Sequence, residues 1–208
     1  MIPARCAATL ALALLAAPAF AQSGAKPDTL EPAMAAYIKS PQRQAEMAAT
    51  VRKMIPMVAG ACKAAKAAGR TRTQVYKPLT FDRSGQPIAG VFREIVPLDL
   101  CGETVELNIL ANAKPNGTVE RINLLPGSSK ADPVLQKDAL QSAYVAASAG
   151  KRCTPFAVRN TAAEEKKPDG RWEETWDMLV CGERVPVSLT FVPTGEGGTT
   201  FKAVRKSP

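Results

Sequence analysis

The tripeptide Cys-Gly-Glu occurs twice, at Cys101-Gly102-Glu103 and at Cys181-Gly182-Glu183, and each copy closes an alternating apolar run. The runs are Phe92-Arg-Glu-Ile-Val96-Pro-Leu-Asp-Leu and Trp172-Glu-Glu-Thr-Trp176-Asp-Met-Leu-Val, offset by the 80 positions that separate the two cysteines. A second alternating run follows each copy (Val105, Leu107, Ile109; Val185, Val187, Leu189). A glycine turn then follows at Asn116-Gly117 or Gly195-Glu-Gly-Gly198. Self-similarity at a fixed period marks a structural unit used twice. It constrains architecture and cysteine pairing more tightly than it constrains function.

Each unit reads as a helix followed by four antiparallel strands, an α+β fold in which a helix covers one sheet face. In the first unit Met47, Val51, Met54, Val58, Cys62 and Ala65 recur at three- and four-residue steps. They form one apolar stripe, with Pro56 expected to kink or split the helix and Gly69 to end it. Strands are predicted at 73–82, 90–101, 103–112 and 118–125. In the second unit Asp132 caps a helix that opens on Pro133 and closes at Gly150. Strands follow at 154–161, 171–181, 184–193 and 199–205. The charged segment from Ala162 to Gly170 reads as a solvated turn. Cys-Gly-Glu is expected to form tight hairpins, with Gly102 or Gly182 at the first central position of a type II′ turn. The boundaries are 1–21 for a signal peptide, 22–40 for a leader and short helix (Asp28 and Glu31 as a capping box), 41–126 for the first unit and 127–208 for the second. A core shared by the two units is the expected arrangement, because every strand offers an aliphatic face.

Arg5, the apolar run from Cys6 to Ala17 and the small-x-small site Ala19-Phe20-Ala21 have the form of a secretory signal cut near Ala21. The expected location is the periplasm or the exterior, with no transmembrane span in the mature chain. Outside that segment the cysteines are Cys62, Cys101, Cys153 and Cys181. An even count in an oxidising compartment reads as two disulfides. Equivalent units should close equivalent bonds, Cys62–Cys101 and Cys153–Cys181, each worth about 3 kcal/mol. A redox-active pair would need Cys-x-x-Cys, which does not occur, and a zinc site of the usual kind would need histidine, of which there is none.

The formal charge is +8, and it is unevenly placed. Between positions 39 and 77 stand Lys39, Arg43, Arg52, Lys53, Lys63, Lys66, Arg70, Arg72 and Lys77, against one acid, Glu46. Such a surface attracts anionic partners, here lipid head groups, lipopolysaccharide or an envelope protein, although a solvated helix face has the same composition. With Tyr76 its single aromatic residue beyond Lys39, the stretch lacks the interleaved rings of a nucleic-acid stacking platform, so no nucleic acid is expected.

The catalytic inventory is short. Without histidine there is no Ser-His-Asp triad and no Cys-His pair. Gly195-Glu-Gly-Gly198 joins two strands and opens no helix, so it is not a phosphate loop. No metal or cofactor is expected. Glu94 and Glu174 occupy equivalent positions in Phe92-x-Glu94-x-Val96 and Trp172-x-Glu174-x-Trp176, on the apolar face of their strands. Either each carboxylate meets an arginine or backbone donors and fixes its strand, or the two approach and do acid–base work, as in glycoside hydrolysis. Trp172 and Trp176 read either as core or as a stacking platform for a sugar or a partner side chain.

Over Val105 to Val145 the order of motifs is Asn116-Gly117-Thr118-Val119, then Ser128-Ser129, then Ala139-Leu140 with Ala143. This stretch resembles the C-terminal domain of the TonB energy-transduction family, in which a strand, a Gly-x-Val turn, a second strand, a Ser-rich loop and an Ala-rich helix follow one another. The resemblance implies a periplasmic module that pairs a sheet edge with a partner strand. The paired Cys-Gly-Glu units are also similar to those of uncharacterised secreted bacterial proteins. The sequence reading is thus a non-catalytic binding or envelope-associated module acting through a strand edge, the basic surface, or both. Its alternatives are a hydrolase using Glu94 and Glu174, or a protease inhibitor presenting the Cys-Gly-Glu hairpins.

Overall fold

The computed structural model describes residues 31–206 except positions 61, 151, 153 and 155. The expected signal segment, the leader with Asp28, and Cys153 lie outside the described residues.

Two helices open the described chain, α1 (Pro32–Lys39) and α2 (Pro41–Ala59). Each starts on a proline, whose missing N–H costs nothing in a first helical turn. Ser40 caps α2 by accepting the Arg43 N–H. Glu31 stands at the N-cap of α1 with no side-chain cap bond. Pro56 does not split α2, which runs unbroken past it to Ala59 although the proline lacks the N–H of a main-chain helix bond. The helix ends at Gly60 (φ 58°), before the Gly69 expected from the periodicity. Cys62 and Ala65 still pack on the α2 core, but from the chain beyond the helix.

The first sheet comprises β1 (Ala65–Ala67), β2 (Arg72–Phe81), β3 (Pro87–Leu100), β4 (Glu103–Ala113) and β5 (Val119–Leu124). β3 is long enough for β1 to pair with its C-terminal half and β2 with its N-terminal half. β4 and β5 continue the sheet on the other side, all antiparallel. At three residues, Ala-Lys-Ala, β1 is too short to show alternation, which is why four strands were expected and five are found.

Helix α3 (Pro133–Ser148) begins at Asp132, whose carboxylate accepts the N–H groups of Val134 and Leu135 as the sequence predicts. The second sheet follows: β6 (Ala157–Ala163), β7 (Trp172–Val180), β8 (Glu183–Pro193) and β9 (Thr199–Arg205), in that spatial order and antiparallel. β6 continues to Ala163, into the segment read as a turn. The registers match at the sequence offset: Glu94 faces Ile109 and Glu174 faces Leu189, while Ala113 faces Val119 and Pro193 faces Thr199.

In both hairpins the central turn residues are Cys-Gly rather than the expected Gly-Glu. Cys101 (φ 58°) with Gly102 (φ 89°), and Cys181 (φ 55°) with Gly182 (φ 80°), have positive φ at both positions. That is the type I′ pattern, whose twist matches the flanking strands. Glu103 and Glu183 instead open the next strand, paired with Leu100 and Val180.

Among the described residues the buried apolar side chains form three clusters, and none combines the two sheets. Met47, Met54 and Val58 of α2 pack on Val96, Leu98, Leu107 and Ile109. Met34 and Tyr37 of α1 pack on Phe92 and Ala111. Ala139, Ala143 and Ala147 of α3 pack on Trp176, Met178, Val187 and Phe191. The expected shared core is therefore absent among the described residues, although Glu31–Pro208 is one compact unit.

Polar groups and the linker hold the halves together. Gly127 donates its N–H to Glu106 O and accepts from Arg93 Nη2 (2.9 Å) and Asn108 Nδ2 (2.8 Å). On its other side Ser128 N–H donates to Thr161 O, and Thr161 Oγ1 donates to Pro126 O. A Cβ at Gly127 would stand 2.2 Å from Thr161 O, and its φ of +91° is unfavourable for any other residue, so this crossing admits only glycine.

Candidate functional site

The structure brings the predicted residues to several places rather than one. Glu94 is 0 % exposed and forms a buried ion pair with Arg43, itself 4 % exposed. Among the described residues neither Glu94 oxygen has a hydrogen-bond donor besides this guanidinium. Arg43 lies on the buried stripe of α2, one turn before Met47, and so leaves the basic surface to which its charge alone assigned it. A buried-face acid opposite a helix with a base on its apolar stripe was the available signal.

Glu174, 1 % exposed, is held differently. Its Oε1 accepts from Lys130 N (2.8 Å) and Trp172 Nε1 (2.9 Å), and its Oε2 accepts from Trp176 Nε1 (2.7 Å). Residues two apart on a strand share a face, so Trp-x-Glu-x-Trp sets two indole donors on either side of one carboxylate. Three N–H bonds meet the requirement of a buried anion without a cation. Trp172 (4 % exposed) and Trp176 (0 %) are core, with Trp172 stacked on Phe191 at 4.7 Å between ring centroids. They present no open stacking platform. The two glutamates sit in separate sheets, each with its own partners, and form no open carboxylate pair of the kind hydrolysis requires.

A polar cluster around Arg159 was missed by sequence reasoning. Arg159, on β6, donates through Nη1 to Val58 O (2.7 Å) and Ala59 O (3.0 Å), and through Nη2 to Glu103 Oε2 (2.8 Å). It thereby binds two carbonyls at the C-terminus of α2, of which Ala59 O also accepts from Cys62 N (3.0 Å), where a cation is also favoured by the helix dipole. Arg184 pairs with Glu103 (2.9 Å) and with Asp177. Arg159 and Glu103 together thus join α2, the first sheet and the second.

This cluster should titrate. The hydrogen bond from Arg159 holds the Glu103 carboxyl below its ordinary value of 4.5, with burial opposing and the Arg184 charge assisting. A carboxyl depressed on folding contributes stability that is complete above the ordinary value and is lost as pH falls through the depressed one. Stability is therefore expected to decline below pH 4.5, and Glu103→Gln should remove that part of the acid limb. Arg159→Ala should cost about 2 kcal/mol at neutral pH. Urea titrations of both variants at neutral and acid pH check this, and an unaltered acid limb in Glu103→Gln would count against it.

Of the basic segment, Arg52, Lys53, Lys63, Lys66 and Arg70 are exposed, as are Lys39 and Lys77. None of these has an ion-pair partner among the described residues. Arg72 is also exposed but is paired with Glu106. Glu46, the lone acid of the segment, is engaged by Arg121 (3.0 Å).

The sulfurs of Cys62 and Cys101 are joined, Cα atoms 5.9 Å apart, as expected. Cys181 is disulfide-bonded, while Cys153 lies outside the described residues. No group of three or more Cys, Asp or Glu side chains among the described residues could hold a metal ion. Among them, no helix is long and apolar enough to cross a membrane. The molecule is thus of the α+β class, two helix-backed antiparallel sheets joined by a polar seam. Comparison with family models, curated proteins and solved structures finds no match to this chain.

Proposed function

We propose that this chain is an exported, periplasmic, non-catalytic module that works by surface contact, through the basic face of the first half and through a strand edge. The observation that carries the reading is the state of the charged groups. The buried acids are all engaged in holding the fold, whereas the cations from Arg52 to Arg70 stand exposed and unpaired among the described residues. Cations left without acids supply an outward field that draws anionic surfaces, lipid head groups and lipopolysaccharide among them. The duplicated unit belongs to the same reading. The equal strand registers and the repeated Cys-Gly turn support it, and with it the pairing Cys153–Cys181.

The purified protein should bind vesicles containing phosphatidylglycerol and release them as salt rises, since exposed charges are screened over about 8 Å at physiological ionic strength. Reversing Arg52, Lys53, Lys63, Lys66 and Arg70 to glutamate should abolish binding without unfolding, because all five are exposed. Equal binding to neutral phosphatidylcholine vesicles, or indifference to salt, would defeat the electrostatic reading.

A further inference from the structure

The sheet edges are not equivalent. β2 contains Pro78 and register shifts between Val75 and Lys77, Lys77 and Thr80, and Thr80 and Phe81, which break any regular pairing along it. β6 is covered, with Thr161 bonded to the linker and Arg159 to α2. On β5, Glu120 and Arg121 are both engaged in ion pairs. β9 differs from all three: seven residues, Thr199–Arg205, in unbroken register with β8 and with no proline. An edge strand of this kind keeps a row of backbone N–H and C=O groups able to pair with another chain.

Beside it runs a groove of about 350 Å³ between α3 and β9. Its walls are Gln141, Ser142, Val145 and Ala146 of the helix and Phe201 and Ala203 of the strand. Val145 is 59 % exposed, an apolar side chain with nothing over it. Arg205 Nη1 donates to Ala147 O (3.0 Å) and fixes the strand against the end of the helix. The volume lies toward the lower end of the ~300–1,000 Å³ usual for specific pockets. On the opposite face of β9 stand Thr200, Lys202 and Val204. Thr199 to Lys206 contains three cations, Lys202, Arg205 and Lys206, and no acid.

We propose that β9 and α3 together accept an extended segment of a partner protein that alternates apolar and acidic residues, adding as a fifth strand to the second sheet. This rests on reading the chain as a surface-contact module and names the partner of its strand edge. Alternation follows from the pleat: every second side chain of an added strand faces the groove, and the others face the Lys202 side. Apolar groups suit the first face. Acidic groups suit the second, where Lys202 is exposed and has no ion-pair partner among the described residues. Backbone pairing gives affinity with little dependence on sequence, and the two faces give selectivity.

The test titrates the purified protein with a short acetylated, amidated peptide of alternating valine and glutamate, reading backbone amide shifts by NMR. Saturable shifts confined to 199–205 and 141–146 are expected. Val145→Glu, a change on an exposed helix surface, should weaken binding about tenfold or more by placing a charge in the apolar groove. Lys202→Glu should weaken the valine–glutamate peptide and favour a valine–lysine one. A peptide N-methylated at alternate residues should not bind. Unchanged affinity in Val145→Glu together with retained binding of the N-methylated peptide would overturn the proposal. So would shifts at β9 that depend on protein concentration alone, since the occupant would then be a second copy. The five-residue charge reversal should leave peptide binding intact, so failure here is distinguishable from failure of vesicle binding.

Discussion

Replacing Arg43 with alanine is expected to destabilise the protein by about 3–5 kcal/mol, the largest single-residue effect anticipated. The cause is the carboxylate that remains, more than the attraction that disappears. Glu94 is fully buried between α2 and the first sheet, and Arg43 is its one polar partner among the described residues. Without the guanidinium, the carboxylate must either remain charged in an apolar site or take up a proton, and both are costly. A typical domain is stable by only about 5–15 kcal/mol, so this variant should show a much lower urea midpoint. The double variant Arg43→Met with Glu94→Leu is the control. Removing both charges together leaves no uncompensated ion, and stability near that of the parent is expected. A loss below about 1 kcal/mol in Arg43→Ala, within the range of exposed pairs, would show that the pair is hydrated and that the burial argument fails.

The second large effect is that of the Cys62–Cys101 bond. It closes a sequence separation of 39 residues, for which the chain-entropy model gives about 4 kcal/mol. It also joins the chain just beyond α2 to the β3–β4 turn, beside the site where Arg159 reaches the α2 carbonyls and Glu103. Substituting both cysteines by serine isolates this bond, whereas a reducing agent would also act on Cys181, which is disulfide-bonded. The serine variant should unfold at lower denaturant and, with a less restricted unfolded chain, with a steeper dependence on it. A change of less than about 1 kcal/mol would mean that the unfolded chain already holds these segments together.

The two glutamates show how far sequence reading reaches. Strand alternation placed Glu94 and Glu174 on buried faces, and both are there. Their surroundings could also be read in part. Trp-x-Glu-x-Trp carries its own donors within a strand, whereas Phe-x-Glu-x-Val carries none and must look elsewhere. That Arg43 is the residue found depended on which way α2 faces the sheet. The periodic stripe gave that orientation, but the density of surrounding positive charge drew Arg43 to the surface reading instead. The tryptophans were ambiguous for a related reason: alternation assigns a side chain to a face, and only packing decides whether that face is covered.

The halves illustrate a second limit. Aliphatic residues on every strand gave reason to expect a shared core, yet each sheet covers its apolar face with its own helix. Polar groups cross between them, through Arg159, Glu103, Arg184, Asn108 and Gly127, beside a close approach of the Leu179 side chain to Gly60. Long-range polar interactions of this kind leave no period in the sequence. Arg159 meets Val58 across a separation of 101 residues, and nothing local to either marks the meeting.

What the sequence determined by itself is therefore whatever arises from neighbours along the chain. This includes the α+β class, the antiparallel hairpins, the Asp132 cap and the inward side of each strand, because those follow from backbone geometry and spacing. The Cys62–Cys101 pairing also came from the sequence, through the comparison of equivalent positions. Only the tertiary structure decided the partner of Glu94, the split core and the groove beside β9. Each of these depends on groups distant in sequence meeting in space, where desolvation and close packing set the outcome.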